Sequence, residues 1–257
     1  MSLSVIARGP EGLVFAAESR SLADFTLPDG RTIPINFDGT NKILTFNKPH
    51  NFVAAVTYGL GLIGDRSVYS FMPEIEAAIT EESRLSVKEY ANKLSSFFMQ
   101  EWDKRPPAMK DYKGDPIVFV MGGFDEGELL SHTYEIQIPS KPEPVELPQT
   151  GVTWGGMREI AYRLVCGYDE NLPKLLTDAL LLTEEQVKSM KEIVKQVAIG
   201  FPLANVGLQG YVDIAKLLIS TTIETQRLTA CLRGCGGPID IVAITRRDGL
   251  RYVQHKA

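Results

Sequence analysis

Short apolar runs at both ends of the chain constrain the fold most. Residues 3–8 and 13–17 are separated only by Gly9-Pro10-Glu11-Gly12, and residues 239–245 and 250–254 only by Arg246-Arg247-Asp248-Gly249. Parallel strands need a crossover of about a dozen residues or more, so connections this short dictate antiparallel hairpins. A further pair, residues 41–46 and 52–58, flanks Asn47-Lys48-Pro49-His50-Asn51, and Pro28-Asp29-Gly30 marks an earlier turn in the segment leading to it.

Between these strands the pattern changes period. Residues 64–80 carry helix-spaced apolar side chains, and Ser86-Val87-Lys88-Glu89 is a capping box that predicts a second helix to about Trp102. Pro106-Pro107 ends that stretch. Residues 117–121 and 134–138 return to strand character around Gly122-Gly123-Phe124-Asp125-Glu126-Gly127, and Pro142, Pro144 and Pro148 mark an extended connector. From Met157 the pattern is helical again, with a second capping box at Thr183-Glu184-Glu185-Gln186 and a long amphipathic helix over residues 211–227. Strands, two helices, strands, helices, strands is an α+β order, with antiparallel sheets between helical layers rather than alternating βαβ units.

Charge and composition remove several functions. Lys and Arg number 27 against 32 Asp and Glu, the net charge is -5, and no basic cluster offers a phosphate backbone its counterions, which argues against nucleic acid. No apolar run approaches the roughly 18 to 20 residues that span a bilayer, and the N-terminus has no signal-peptide core, so no membrane partner and a cytoplasmic location are expected. Cys166, Cys231 and Cys235 form an odd set that suits a reducing compartment, with Cys166 and Cys231 read as small core residues on helices. His50, His132 and His255 lack metal-ligand spacing. Gly59-Leu60-Gly61-Leu62-Ile63-Gly64 matches a dinucleotide-binding glycine pattern, following a strand and opening the predicted helix. The second parallel strand with its acidic end is missing, however, because Glu81 and Glu82 fall between two helices.

A series of motifs in common order resembles the proteasome subunits. Gly12-Leu13-Val14-Phe15-Ala16-Ala17-Glu18-Ser19-Arg20 is similar to the family's first-hairpin stretch, and Glu18 lies sixteen residues after Ser2, the offset between the family's acid and its nucleophile. Asn41-Lys42-Ile43 resembles the lysine step into the next strand, after eight or nine extra residues around Pro28-Asp29-Gly30. Tyr58-Gly59-Leu60, Gly122-Gly123-Phe124-Asp125 with Tyr134-Glu135-Ile136, Thr153-Trp154-Gly155-Gly156 and Cys235-Gly236-Gly237-Pro238-Ile239 continue the series. The departures are specific: Gly155 and Cys235 stand where the family has serines, Leu232 where it has an aspartate, and residues 169–210 form an apparent helical insertion.

The resemblance implies a single domain over residues 1–257 with a four-layer αββα sandwich of the N-terminal-nucleophile type. It implies peptide-bond hydrolysis without metal or organic cofactor by Ser2, once Met1 is removed. An α-amine with an ordinary pKa of about 7.7 to 8.0 takes the hydroxyl proton on the same residue. Lys42 then holds that amine neutral and stabilises the oxyanion, Glu18 positions Lys42, and the Gly59 N–H donates to the oxyanion. The implied partners are a peptide or unfolded-protein substrate, other copies of the chain in a homo-oligomeric ring, and an unfoldase. The alternative is a non-catalytic ring-forming or scaffold protein on the same fold. Tyr69, Phe71, Met72, Phe97, Phe98, Met99 and Trp102 are expected mostly in a helix-to-sheet core, with some at a subunit contact.

Overall fold

The first hairpin is the centre of the molecule because its apolar residues occur on both strand faces. The computed structural model, which describes residues 2–256, pairs β1 (Leu3–Gly9) with β2 (Gly12–Glu18), and every residue of both strands is buried. Side chains alternate along a strand. Leu3, Val5, Ala7, Val14 and Ala16 therefore face one way, while Ile6, Leu13, Phe15 and Ala17 face the other.

A hairpin of β3 (Arg20–Thr26) and β4 (Thr32–Asp38) follows, turning at the expected Pro28-Asp29-Gly30. Next come β5 (Ile43–Thr45) and β6 (Val53–Gly59), then a small ladder of β7 (Leu62–Ile63) with β8 (Arg66–Ser67). The helix expected over residues 64–80 is shorter than its periodicity suggests. Gly64 and Asp65 turn the β7–β8 ladder, Val68–Phe71 is one 3-10 turn, and α1 occupies only Met72–Ala78. The glycine-rich stretch after β6 thus enters a hairpin and opens no helix.

Helix α2 (Val87–Asp103) begins at the expected capping box, with the Ser86 hydroxyl accepting from the Glu89 N–H and the Glu89 carboxylate accepting from the Ser86 N–H. Strands β9 (Ile117–Gly123), β10 (His132–Ile138), β11 (Lys141–Glu146) and β12 (Gly151–Gly156) follow. The proline-rich connector includes β11, paired with β10 at a sheet edge, where a missing backbone donor is tolerated. Helices α3 (Glu159–Cys166), α4 (Leu172–Leu180), α5 (Glu184–Val194) and α6 (Leu208–Leu228) precede β13 (Ile239–Thr245) and β14 (Gly249–Gln254).

Two five-stranded antiparallel sheets result, in the orders β12-β1-β2-β13-β14 and β11-β10-β9-β6-β5. One apolar cluster joins the outer face of the first sheet to α3 and α6. A second joins the other sheet to α1 and α2, and a third contains side chains from both sheets, including Phe15, Val56, Val120 and Val242. The aromatic-rich helix pair belongs to the second cluster, with Phe71, Phe98 and Trp102 buried and Tyr69, Met72, Phe97 and Met99 partly so. Cys231 contradicts its expected place in the core, because it lies exposed beyond the C-terminus of α6. No helix among the described residues is long and apolar enough to cross a membrane.

Phe98 is fully buried, with its ring centroid 4.6 Å from that of Phe119 and edge contacts to Phe71 and Phe97. Phe98→Ala is expected to lower stability by about 3–5 kcal/mol through the cavity it leaves, measured by denaturant unfolding.

Candidate functional site

The site is built around a carboxylate that burial would otherwise make untenable. Glu18 ends β2, its side chain is 0% exposed, and antiparallel register brings it beside the start of β1. One carboxylate oxygen, Oε1, accepts from the Leu3 N–H at 3.1 Å and from the Lys42 ammonium. Oε2 accepts from the Arg20 N–H at 2.7 Å and the Gly236 N–H at 3.0 Å. Three backbone donors and one cation therefore stabilise the charged form.

Lys42 sits just before β5 and is 5% exposed. Burial holds its ammonium below the ordinary lysine value, and the Glu18 charge and hydrogen bond oppose that effect. Its ammonium also donates to the Arg20 carbonyl, while its own carbonyl accepts from the Thr57 N–H at 2.9 Å. Lys42 is thus fixed to β6, whose last residues are Thr57, Tyr58 and Gly59. Gly59 has φ +84°, and a Cβ there would lie 2.2 Å from the Pro116 carbonyl oxygen. Only glycine fits this close approach.

Ser2 is buried immediately before β1, and its carbonyl accepts from the Met157 N–H at 2.6 Å. Gly156 permits that clamp: at φ +92°, a Cβ would stand 1.8 Å from the Ser2 carbonyl oxygen. Met1, whose removal the sequence led us to expect, lies outside the described residues. Ser2, Lys42, Thr57 and Gly59 all border one cavity of about 380 Å³. Ser21, Leu22, Ala23 and Asp24 of β3, the segment from Leu60 to Leu62, and Tyr112 and Asp115 also line it. Glu18 does not reach the cavity. It stands behind Lys42.

Two departures from the family pattern have structural accounts. Gly155 leaves room for the Tyr58 ring, since a Cβ would lie 2.1 Å from Tyr58 Cζ, and the Tyr58 hydroxyl donates to Glu135 at 3.5 Å. Cys235 is buried near Glu18 and Lys42, and burial, aided by the Glu18 charge, pushes its thiol up to about 12. A thiol so held stays protonated and unreactive at neutral pH.

Sequence reasoning missed the groups behind Glu18. Lys256 pairs with Asp240 and donates to the Ser19 hydroxyl and the Thr40 carbonyl, each at 3.1 Å, while the Ser19 hydroxyl donates to the Pro238 carbonyl at 2.7 Å. Arg20 makes a two-pronged ion pair with Asp38, both bonds 2.7 Å, across the base of the β3–β4 hairpin. The charge of Arg20 holds the Asp38 carboxyl below its usual value. No spacing signal marks the contacts of Lys256 with Ser19 and Thr40, 237 and 216 residues away.

No protein-family profile and no curated protein matches the sequence. Solved structures do. The Anbu (Gly-1) mutant from Hyphomicrobium sp. strain MC1 aligns with a TM-score of 0.59 at 15% identity, over 100% of this chain and 86% of that one. Anbu (ancestral beta-subunit) from Yersinia bercovieri aligns with a TM-score of 0.56 at 16% identity, over 99% and 87%. The fold is proteasome-like. At these identities the likeness concerns the fold alone.

The partners of Glu18 and Lys42 are unequal in number, which gives an asymmetric prediction. Glu18→Gln turns an amide NH2 toward donors and leaves the Lys42 charge with a carbonyl alone, so a loss of about 3–5 kcal/mol is expected in urea unfolding. Lys42→Met leaves the carboxylate its three backbone donors and is expected to cost less than half as much.

Proposed function

We propose that the chain is a peptide-bond hydrolase whose nucleophile is the Ser2 hydroxyl, exposed by removal of Met1. The observation that carries this reading is the cavity that Ser2, Lys42 and Gly59 share, backed by the fixed Glu18 carboxylate. Once Ser2 is the first residue, its α-amine is the base that takes the hydroxyl proton as oxygen attacks the substrate carbonyl. The Lys42 charge disfavours a second positive charge and so lowers that amine's pKa from its ordinary value of about 7.7 to 8.0, which favours the neutral base. The same charge, with the Gly59 N–H as a donor, stabilises the developing oxyanion. The amine then returns the proton to the leaving nitrogen, and water hydrolyses the ester by the same steps. No metal or organic cofactor takes part in this scheme.

We read the whole chain as one domain with a four-layer αββα sandwich, with residues 169–210 as a helical insertion. Peptide or unfolded protein is the proposed substrate, the cytoplasm the proposed location, and an unfoldase the proposed supplier of unfolded chains. A ring of identical subunits is proposed as the working form, because closed symmetry encloses the Ser2 sites in a chamber. Apolar side chains at Phe25, Ile33 and Phe37 on the β3–β4 hairpin, and at Leu175, Leu180 and Leu181 on the insertion, are exposed and suit coverage by neighbouring subunits. The second reading, a ring-forming scaffold without turnover, draws support from Gly155 and Cys235, which place no hydroxyl where the family has serines.

Ser2→Ala is expected to abolish cleavage of unfolded protein and fluorogenic peptides without changing the unfolding midpoint by more than about 0.5 kcal/mol in equivalent stability. A peptide epoxyketone or boronate is expected to modify Ser2 in the parent and nothing in the variant. Equal activity in the two proteins would overturn the nucleophile, and a parent inert to substrate and label alike would favour the scaffold. Light scattering at micromolar concentration is expected to show a closed oligomer, and a clean 28.4 kDa monomer would contradict the ring.

A further inference from the structure

Arg8 lies at the opposite end of β1 from Ser2 and is 1% exposed, among the largest fully buried side chains. Leu3, Val5 and Ala7 pack toward α6, so alternation turns Ile6 and Arg8 toward the other sheet. The guanidinium Nε and Nη1 are buried without a hydrogen-bond partner, and Arg8 forms no ion pair among the described residues. Burial lowers its pKa only to about 10, so it remains charged at neutral pH.

Three hydroxyls share this condition: those of Ser131, Thr133 and Thr153 are buried and unpartnered. Register places Thr153 on the sheet face of Arg8, and packing places Thr133 on the facing sheet. On β12, Arg8 pairs with Gly151, and Thr153 lies two residues along on the same face, opposite Ile6. On β2, Arg8 pairs with Leu13. A Cβ on Gly122 would be 2.9 Å from both Leu13 Cδ2 and Thr133 Oγ1, which sets Thr133 across the inter-sheet space from the Arg8–Leu13 pair. Ser131 precedes Thr133 by two residues. Glu135, on the same face of β10, is already engaged by Gln137 at 2.8 Å and by Tyr58.

A buried cation with three hydroxyls that can donate, and no carboxylate paired with it among the described residues, lacks a negatively charged partner there. Water can bond to hydroxyls and guanidinium N–H groups alike but brings no compensating negative charge. We propose that Arg8, Ser131, Thr133 and Thr153 form a binding site for a small inorganic anion between the two sheets. A Cβ on Gly151 would be 3.9 Å from Arg8 Nη2, which puts the guanidinium next to the β12 backbone. Occupancy fastens the β1–β12 edge of one sheet to β10 of the other, independently of any chemistry at Ser2.

Thermal unfolding tests the site in a sodium gluconate background, an anion too large to enter, replaced stepwise at constant ionic strength by chloride or by inorganic phosphate. The melting temperature is expected to rise saturably with at least one of them, as selective binding to the native state requires. Chloride alone would mark a halide site and phosphate alone an oxyanion site. Arg8→Met is expected to remove the saturable rise. Because that variant is at risk of not folding, Thr133→Val with Thr153→Val keeps the charge and the side-chain shape, and is expected to raise the half-saturating concentration about tenfold. A melting temperature that ignores both anions, or shifts equally and without saturation in parent and variants, would overturn the proposal.

Discussion

The fully buried carboxylate of Glu18 is the constraint on which the rest of the site depends. An isolated charge in that position would cost far more than the protein's net stability, so its donors must arrive with it. They come from the start of β1, the first residue of β3, the loop before β13 and the residue before β5. Three of these belong to segments around the first sheet, and Lys42 leads into the second. The carboxylate is therefore satisfied only when both sheets have formed and met, and Ser2, Lys42 and Gly59 come to share a cavity as a consequence.

Local chemistry made much of this legible in the sequence. Short turns fixed the end hairpins as antiparallel, two capping boxes placed the starts of α2 and α5, and the sixteen-residue offset from Ser2 to Glu18 follows from a tight hairpin that returns β2 alongside β1. Periodicity misled over residues 64–80, because Val68, Phe71 and Ile75 reach the same core from a 3-10 turn followed by a short helix, while Gly64 and Asp65 serve a turn. Prolines disguised β11, an edge strand in which side chains alternate between half-buried and exposed over its first residues. The Lys256 ammonium at the Ser19 hydroxyl and the Thr40 carbonyl was invisible for a different reason: these segments lie 237 and 216 residues apart, and no spacing rule records the encounter.

At 15–16% identity to the Anbu structures, few side chains hold this chain to the common fold. Gly59 and Gly156 stand where positive φ and a carbonyl at van der Waals contact or closer exclude every other residue, and both adjoin the cavity or the Ser2 backbone. At Gly155 the space a side chain would need is taken by the Tyr58 ring, so the glycine and the ring form one packing unit. Glu18 and Lys42 form a buried ion pair, with Lys42 at the cavity wall.

The central claim is that Ser2 becomes a chain terminus whose own amine serves as base. Intact mass and N-terminal sequencing of the purified protein test it most directly. The account predicts a chain lighter by one methionine residue and beginning at Ser2, whereas a chain that retains Met1 and still hydrolyses peptide at full rate would contradict it.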